Sequence, residues 1–158
     1  MERRMQVIEF LLVLQKRRFV GRFVRQIMML IGVDVPRTVT IGRGLRVYHR
    51  GYGLVVHPKT IIGNNVRLYH GVTIGRADPH TGVREPENMV FTIEDDVWLC
   101  VGSVVLGKGS GIRVGRGTIL AANSVLISDT GEGEIWSGVP ARMVGRRRDF
   151  GENLDRQP

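Results

Sequence analysis

A chain of 158 residues, 42% of them hydrophobic, is sized for one well-cored domain. Its formal charge of +8 gathers at the ends: residues 1 to 50 hold eleven Arg/Lys against three acids, residues 51 to 141 seven against nine, and the last seventeen five against three. A middle section near neutrality argues against a nucleic-acid face spread over the domain, and the single cysteine, Cys100, excludes an intramolecular disulfide and a Cys-based zinc cluster. The default compartment is the cytoplasm.

Residues 1–32 read as a helical segment in two pieces parted near QKRRFVG. The apolar run VIEFLLVL, residues 7–14, is too short to span a bilayer, carries Glu9, and leads into QKRR rather than a cleavage site, so neither a transmembrane helix nor a signal peptide is expected. Two roles stay open for the segment. It caps the open end of a repeat domain, or it lies on the inner face of an anionic membrane through Arg3, Arg4, Lys16, Arg17, Arg18, Arg22 and Arg25.

From residue 33 onward an aliphatic residue recurs every sixth position. Val56, Ile62, Leu68 and Ile74 form one set, Ile93, Leu99 and Val105 a second, Val114, Leu120 and Leu126 a third. Small or polar residues commonly follow each marker, as in IGNNVR and VGRGTI. This is the hexapeptide signature of a parallel β-helix: the aliphatic residue points inward, the small one allows the corner, and three hexapeptides complete a coil. Twenty-one glycines against ten aromatic residues fit that plan, and the competing reading is a β-sandwich. The expected organisation is a helical segment at 1–32, a repeat domain at 33–145 and a basic tail at 146–158.

The rhythm slips three times. Val47 to Val56 is nine residues, through YHRGYG; between Ile74 and Ile93 a polar loop near 76–91 leaves the repeat; Val105 to Val114 is again nine. Loops carried on a rigid repeat are natural places for reactive groups. His49 lies in the first break and His80 in the second.

Four stretches, VDV at 33–35, IGRGLRVYH at 41–49, NNVRLYHGVTIG at 64–75 and GVPARMVG at 138–145, make residues 33–147 resemble the left-handed β-helix acyltransferases, and among them the serine acetyltransferase family. The resemblance implies an all-β, left-handed parallel β-helix with a short N-terminal helical cap. It implies an acetyl-CoA-dependent O-acetyltransferase in which His49 is the general base and Asp34 orients it, the hydroxyl attacking the thioester directly. It further implies a homotrimer with acetyl-CoA lying between prisms along Val101, Gly102, Ala122, Asn123 and Arg142, and no metal. The run Arg146, Arg147 and Arg148 would meet the cofactor's phosphates or form a solvated tail.

The departures bear on the acceptor. The helical domain of the serine enzymes is reduced to about thirty residues. Tyr48 replaces the aspartate that usually precedes the base, and the Arg-His-Pro after the long loop is missing where NMVFTIEDD stands. Tyr48, His70 and Arg84 become the candidate acceptor contacts. Short forms with YH in place of DH resemble acetyltransferases associated with exopolysaccharide synthesis, so a sugar hydroxyl competes with L-serine. His57 reads as a corner residue and His80 as a loop residue facing substrate or solvent. Two rivals remain: a non-catalytic scaffold or membrane-associated partner, and a metal enzyme like the gamma carbonic anhydrases, whose five-residue histidine spacing this chain lacks.

Overall fold

The computed structural model describes residues 7–17 and 19–148. Two helices, α1 (Val7–Leu14) and α2 (Gly21–Leu30), precede a chain of short strands. The first coil comprises β1 (Val33–Asp34), β2 (Thr40–Ile41) and β3 (Arg46–Val47), the second β4 (Leu54–Val56), β5 (Thr60–Ile62) and β6 (Arg67–Leu68). The third comprises β7 (Thr73–Arg76), β8 (Val90–Ile93) and β9 (Trp98–Leu99), the fourth β10 (Val104–Gly107), β11 (Gly111–Val114) and β12 (Ile119–Leu120). A partial fifth coil holds β13 (Val125–Leu126) and β14 (Glu134–Gly138), and β15 (Ala141–Arg146) folds back on β14.

These strands build the three walls of a left-handed β-helix. The first wall is β1-β4-β7-β10-β13, the second β11-β8-β5-β2, the third β15-β14-β12-β9-β6-β3, every pair parallel except β14 with β15. All ten hexapeptide markers fall on separate strands and are at most 2% exposed. Register stacks them in columns: Val56, Ile74, Val105 and Leu126 in the first wall, Ile62, Ile93 and Val114 in the second, Leu68, Leu99 and Leu120 in the third. Burying each such side chain contributes roughly 1.5 to 3 kcal/mol, and the aliphatic columns are the core that the six-residue period predicts.

Two corners need the left-handed backbone conformation at every level. Where the third wall returns to the first, the return edge, Gly32, Gly53, Gly71, Gly102 and Asn123 all have positive φ. Where the second wall meets the third, Gly44, Asn65, Asp96, Gly117 and Gly133 do. On the return edge the coils approach closely: a Cβ on Gly71 would stand 3.4 Å from the Cα of Gly102. A side chain there meets both backbone strain and the next coil.

Each open end of the prism is covered. Ile8, Leu12, Val24 and Met28 pack the helices onto Val33, Val35 and Val47 of the first coil. Glu9 Oε1 accepts the Val47 N–H at 3.0 Å, and Lys16 Nζ donates to the carbonyls of Arg37 and Val39, so helix side chains satisfy backbone groups that have no coil above them. Burial, and then the nearby Arg37 guanidinium, lower the Lys16 pKa from its ordinary value. At the far end the β14–β15 hairpin closes the stack. Among the described residues no helix is long and apolar enough to cross a membrane.

The basic stretch after residue 145 begins as structure. Arg147 donates its N–H to Gly133 O and its guanidinium to the carbonyls of Asp96 and Gly117 at 3.3 and 3.2 Å, 5.2 Å above the Trp98 ring. It sits at the second-to-third edge, stapling coils together. Residues 149–158 lie outside the described residues.

Candidate functional site

The first slip in the rhythm becomes a bulge on the return edge. Val47 aligns with Leu68, a separation of 21, whereas Val55 aligns with Thr73, a separation of 18, so the upper coil carries three extra residues in between. They are His49, Arg50 and Gly51, with successive φ values of 52, 57 and 67°. Two consecutive non-glycine residues in this region are unusual, and such strain persists where surrounding contacts hold it. Tyr48 stacks on Tyr69 one coil below, ring centroids 4.4 Å apart and 9° from parallel, while buried Gly51 returns the chain against Val47. The bulge projects His49 and Arg50 into solvent, both exposed.

Directly beneath, His70 presents its ring to His49 edge-on, centroids 4.9 Å apart at 83°. His70 Nδ1 is buried and makes no hydrogen bond among the described residues. Below His70, Val101 and Gly102 turn the third coil around the same edge, and Ala122 and Asn123 the fourth. The Gly138 N–H donates to Ser124 Oγ at 3.0 Å, which holds the β14–β15 hairpin under Asn123 and carries Arg142, exposed and paired in register with Ser137, to the foot of the column. Seven residues that the sequence assigned to base, acceptor or cofactor, Tyr48, His49, His70, Val101, Gly102, Ala122 and Asn123, thus share one edge. At about 4.8 Å per coil, the column from His49 to Asn123 is about 14 Å tall, with Gly71, Gly102 and Asn123 in the left-handed conformation at its successive corners.

Asp34 lies one coil above, two residues past the edge on β1. Its carboxylate accepts from Arg25 Nη2 of α2 at 2.9 Å, an ion pair with both side chains about a third exposed or more. It makes no hydrogen bond to His49 within the protomer. Sequence reasoning missed Arg25 as its partner, since a helix residue nine positions earlier gives no sign of reaching back to the first strand.

Other predicted residues are placed elsewhere. Arg84 is exposed in the loop between β7 and β8, at the first-to-second edge, and is not brought to His49 in the same chain. His80 is exposed in the turn Pro79–Thr81. His57 turns the same edge as that loop: its Nδ1 accepts the Lys59 N–H at 3.2 Å, which leaves Nε2 to donate to Glu85 at 3.1 Å. Lys59 Nζ completes the clamp with an ion pair to Glu85 at 2.9 Å and a hydrogen bond to Pro86 O at 3.0 Å. Cys100, at the return edge beside Val101, is half-buried, and burial pushes its thiol pKa up. No cluster of three His, Cys, Asp or Glu suited to a metal occurs among the described residues.

No protein-family model matches the chain. The serine acetyltransferase of Helicobacter pylori strain J99 is 36% identical over 138 residues, spanning 85% of this chain and 75% of the relative. The chain belongs to the serine acetyltransferase family. The family's Bacillus licheniformis serine acetyltransferase is 37% identical over 131 residues, covering 82% of this chain but 56% of its own length, so the chain spans little more than half of that relative. The crystal structure of serine acetyltransferase from Brucella abortus strain S19 in complex with coenzyme A superposes with a TM-score of 0.70 at 26% identity, over 85% of this chain and 51% of that one.

Proposed function

We propose that this member of the serine acetyltransferase family moves an acetyl group from acetyl-CoA to a hydroxyl acceptor, with His49 as general base. The observation that carries the reading is the three-residue left-handed bulge, which puts an exposed imidazole at the head of the return-edge column that runs through Gly71, Gly102 and Asn123. A thioester arm laid along Val101, Gly102, Ala122 and Asn123 would end at that imidazole, with Arg142 at the distal foot. The base takes the acceptor's hydroxyl proton as its oxygen attacks the thioester carbonyl carbon. The tetrahedral intermediate then expels the coenzyme A thiolate, which recovers the proton from the imidazolium. No acyl-enzyme and no metal enter the sequence. In a homotrimer, a neighbouring prism supplies the wall that faces the open edge, and Asp34 orients the imidazole. Acetyl-CoA as donor puts the reaction in the cytoplasm.

The relatives' names favour L-serine as acceptor. The second reading, a sugar hydroxyl, draws on Tyr48 and Tyr69, partly exposed aromatic residues beside the base of a kind that pack against sugar rings, and on the position of Arg84 away from His49. Thiol release from acetyl-CoA, measured across L-serine and a panel of sugars and nucleotide sugars, tests both. Turnover that falls by at least about 100-fold in His49→Ala supports the base; an unchanged rate in that variant, or no turnover with any acceptor, overturns the proposal.

A further inference from the structure

The helices that cap the first coil carry more apolar surface than the core covers. The inner face is spent on the core through Ile8, Leu12, Val24 and Met28. The outer face is not: Val7, Phe10 and Val13 of α1 are 75, 50 and 61% exposed, Phe23 and Leu30 of α2 are 70 and 86%, and Phe19 in the connecting turn is 94% exposed. Positions 7, 10 and 13 share one stripe of α1, and 23 and 30 one stripe of α2, so this is a surface rather than scattered residues. An apolar stripe left exposed beside the one that packs on the core is ordinarily covered by something.

The charge around that surface says what. Arg17 and Arg22 flank Phe19 and Phe23, and Arg43 and Arg46 lie on the adjoining edge of the first coil; all four are exposed, and none pairs with an acid among the described residues. Among the described residues the two nearby acids are engaged, Glu9 by the Val47 N–H and Asp34 by Arg25. Lys16 and Arg25 are likewise committed to the fold, which removes them from the set of surface cations. Between α1 and the turn from Gly42 to Arg46 lies a cleft of about 920 Å³, floored by Leu12, Ile41 and Leu45, with Arg17, Arg43 and Arg46 among its walls. An apolar floor under guanidinium groups matches an anion carried on hydrocarbon.

We propose that the outer face of α1 and α2, with the cleft beside it, docks on an anionic phospholipid membrane. With eight and ten residues, neither helix can span, so they lie in the interface plane with phenylalanines among the acyl chains and arginines at the phosphates. A second copy of this chain is the poorer occupant, because a two-fold contact through this face would set arginines against arginines. Docking this way holds the end of the prism that carries His49 nearest the lipid, with the later coils pointing away. The inference is independent of the catalytic reading.

Vesicle flotation with the full chain tests it. The protein is expected to float with phosphatidylglycerol-containing phosphatidylcholine vesicles, to stay behind with pure phosphatidylcholine vesicles, and to be released by high salt. Phe19→Ser/Phe23→Ser removes two exposed rings without touching the core, and is expected to weaken partition by about tenfold or more at an unchanged melting temperature. Arg17→Gln/Arg22→Gln is expected to do the same through the headgroups. No flotation, equal flotation on neutral vesicles, or Phe variants that float like the parent would overturn it. So would a fall in native mass by light scattering in the Phe variants together with no vesicle binding by the parent, which would assign the face to a second copy.

Discussion

His49 and His70 meet edge to face across one coil spacing, ring centroids 4.9 Å apart. A projecting, left-handed residue has little else to define its side chain, and the Tyr69 ring stands farther off at 6.5 Å. His70 is therefore the wall against which the proposed base is positioned. His70→Ala is expected to lower kcat by about tenfold while leaving the KM for acetyl-CoA near its parent value, since position rather than cofactor binding is lost. His70→Gln, which keeps a planar polar group, should recover part of kcat. Steady-state kinetics with acetyl-CoA varied separates this from a structural role, which would move both constants.

The Arg25–Asp34 ion pair gives a second discrimination. Its partly exposed geometry makes it worth no more than about 1 kcal/mol as a tie between α2 and the first coil. Arg25→Gln breaks the tie but leaves the carboxylate; it should lower the melting temperature by only a few degrees and keep acetyl transfer within about threefold. Asp34→Asn breaks the same tie and also removes the proposed orienting charge, so its kcat should fall by about 100-fold or more. Equal losses in the two variants would show that Asp34 acts only through the helix.

The core was legible because a β-helix writes its period directly into the chain: each of the ten markers is one inward side chain of one strand, and nothing distant alters that. The bulge was legible too, since a spacing of nine instead of six between Val47 and Val56 has to be absorbed as three extra residues. What the spacing did not show is that all three sit in the left-handed region, because only Gly51 of the three is a residue that favours it. Contacts that depend on long side chains folding back, Arg25 to Asp34, Arg147 to the Asp96 and Gly117 carbonyls, Lys59 and His57 to Glu85, left no periodic trace. They depend on where a helix, a tail and a loop come to rest on the prism.

The loop between β7 and β8 is tied down by that last group, and its attachment should depend on acid. The hydrogen bond from Lys59 is the largest influence holding the Glu85 carboxyl below its ordinary pKa, with the His57 hydrogen bond and charge adding to it and burial opposing. A folded-state pKa that is depressed gives stability fully present above the ordinary carboxylate value, about 4.3, and lost as pH falls through the lower folded value. Amide exchange over residues 77–89 should therefore stay flat from neutral pH down to about pH 5, after correction for intrinsic rates, and lose protection only below the ordinary carboxylate range. Glu85→Gln should show the weakened loop at neutral pH and no acid step. Loss of protection in the parent well above the carboxylate range, or an acid step that survives in Glu85→Gln, would overturn this role for Glu85.

The last corner of the column tests why the edge is built from such small residues. At Gly102, φ is 63°, and an added Cβ would collide with the Asn123 side chain of the coil below. Gly102→Ala therefore meets two penalties, backbone strain of about 1 to 2 kcal/mol and a clash that a flexible amide can relieve only by moving. Asn123→Gly removes the second and leaves the first, since glycine keeps the left-handed corner at φ 55°. In a double-mutant cycle of urea unfolding, Asn123→Gly is expected to restore part of the stability lost in Gly102→Ala, with a coupling of about 0.5 kcal/mol or more. The KM for acetyl-CoA should not recover with it, because the alanine methyl still narrows the proposed path of the thioester arm. Full recovery of KM alongside stability would mean that the cofactor does not run along this edge.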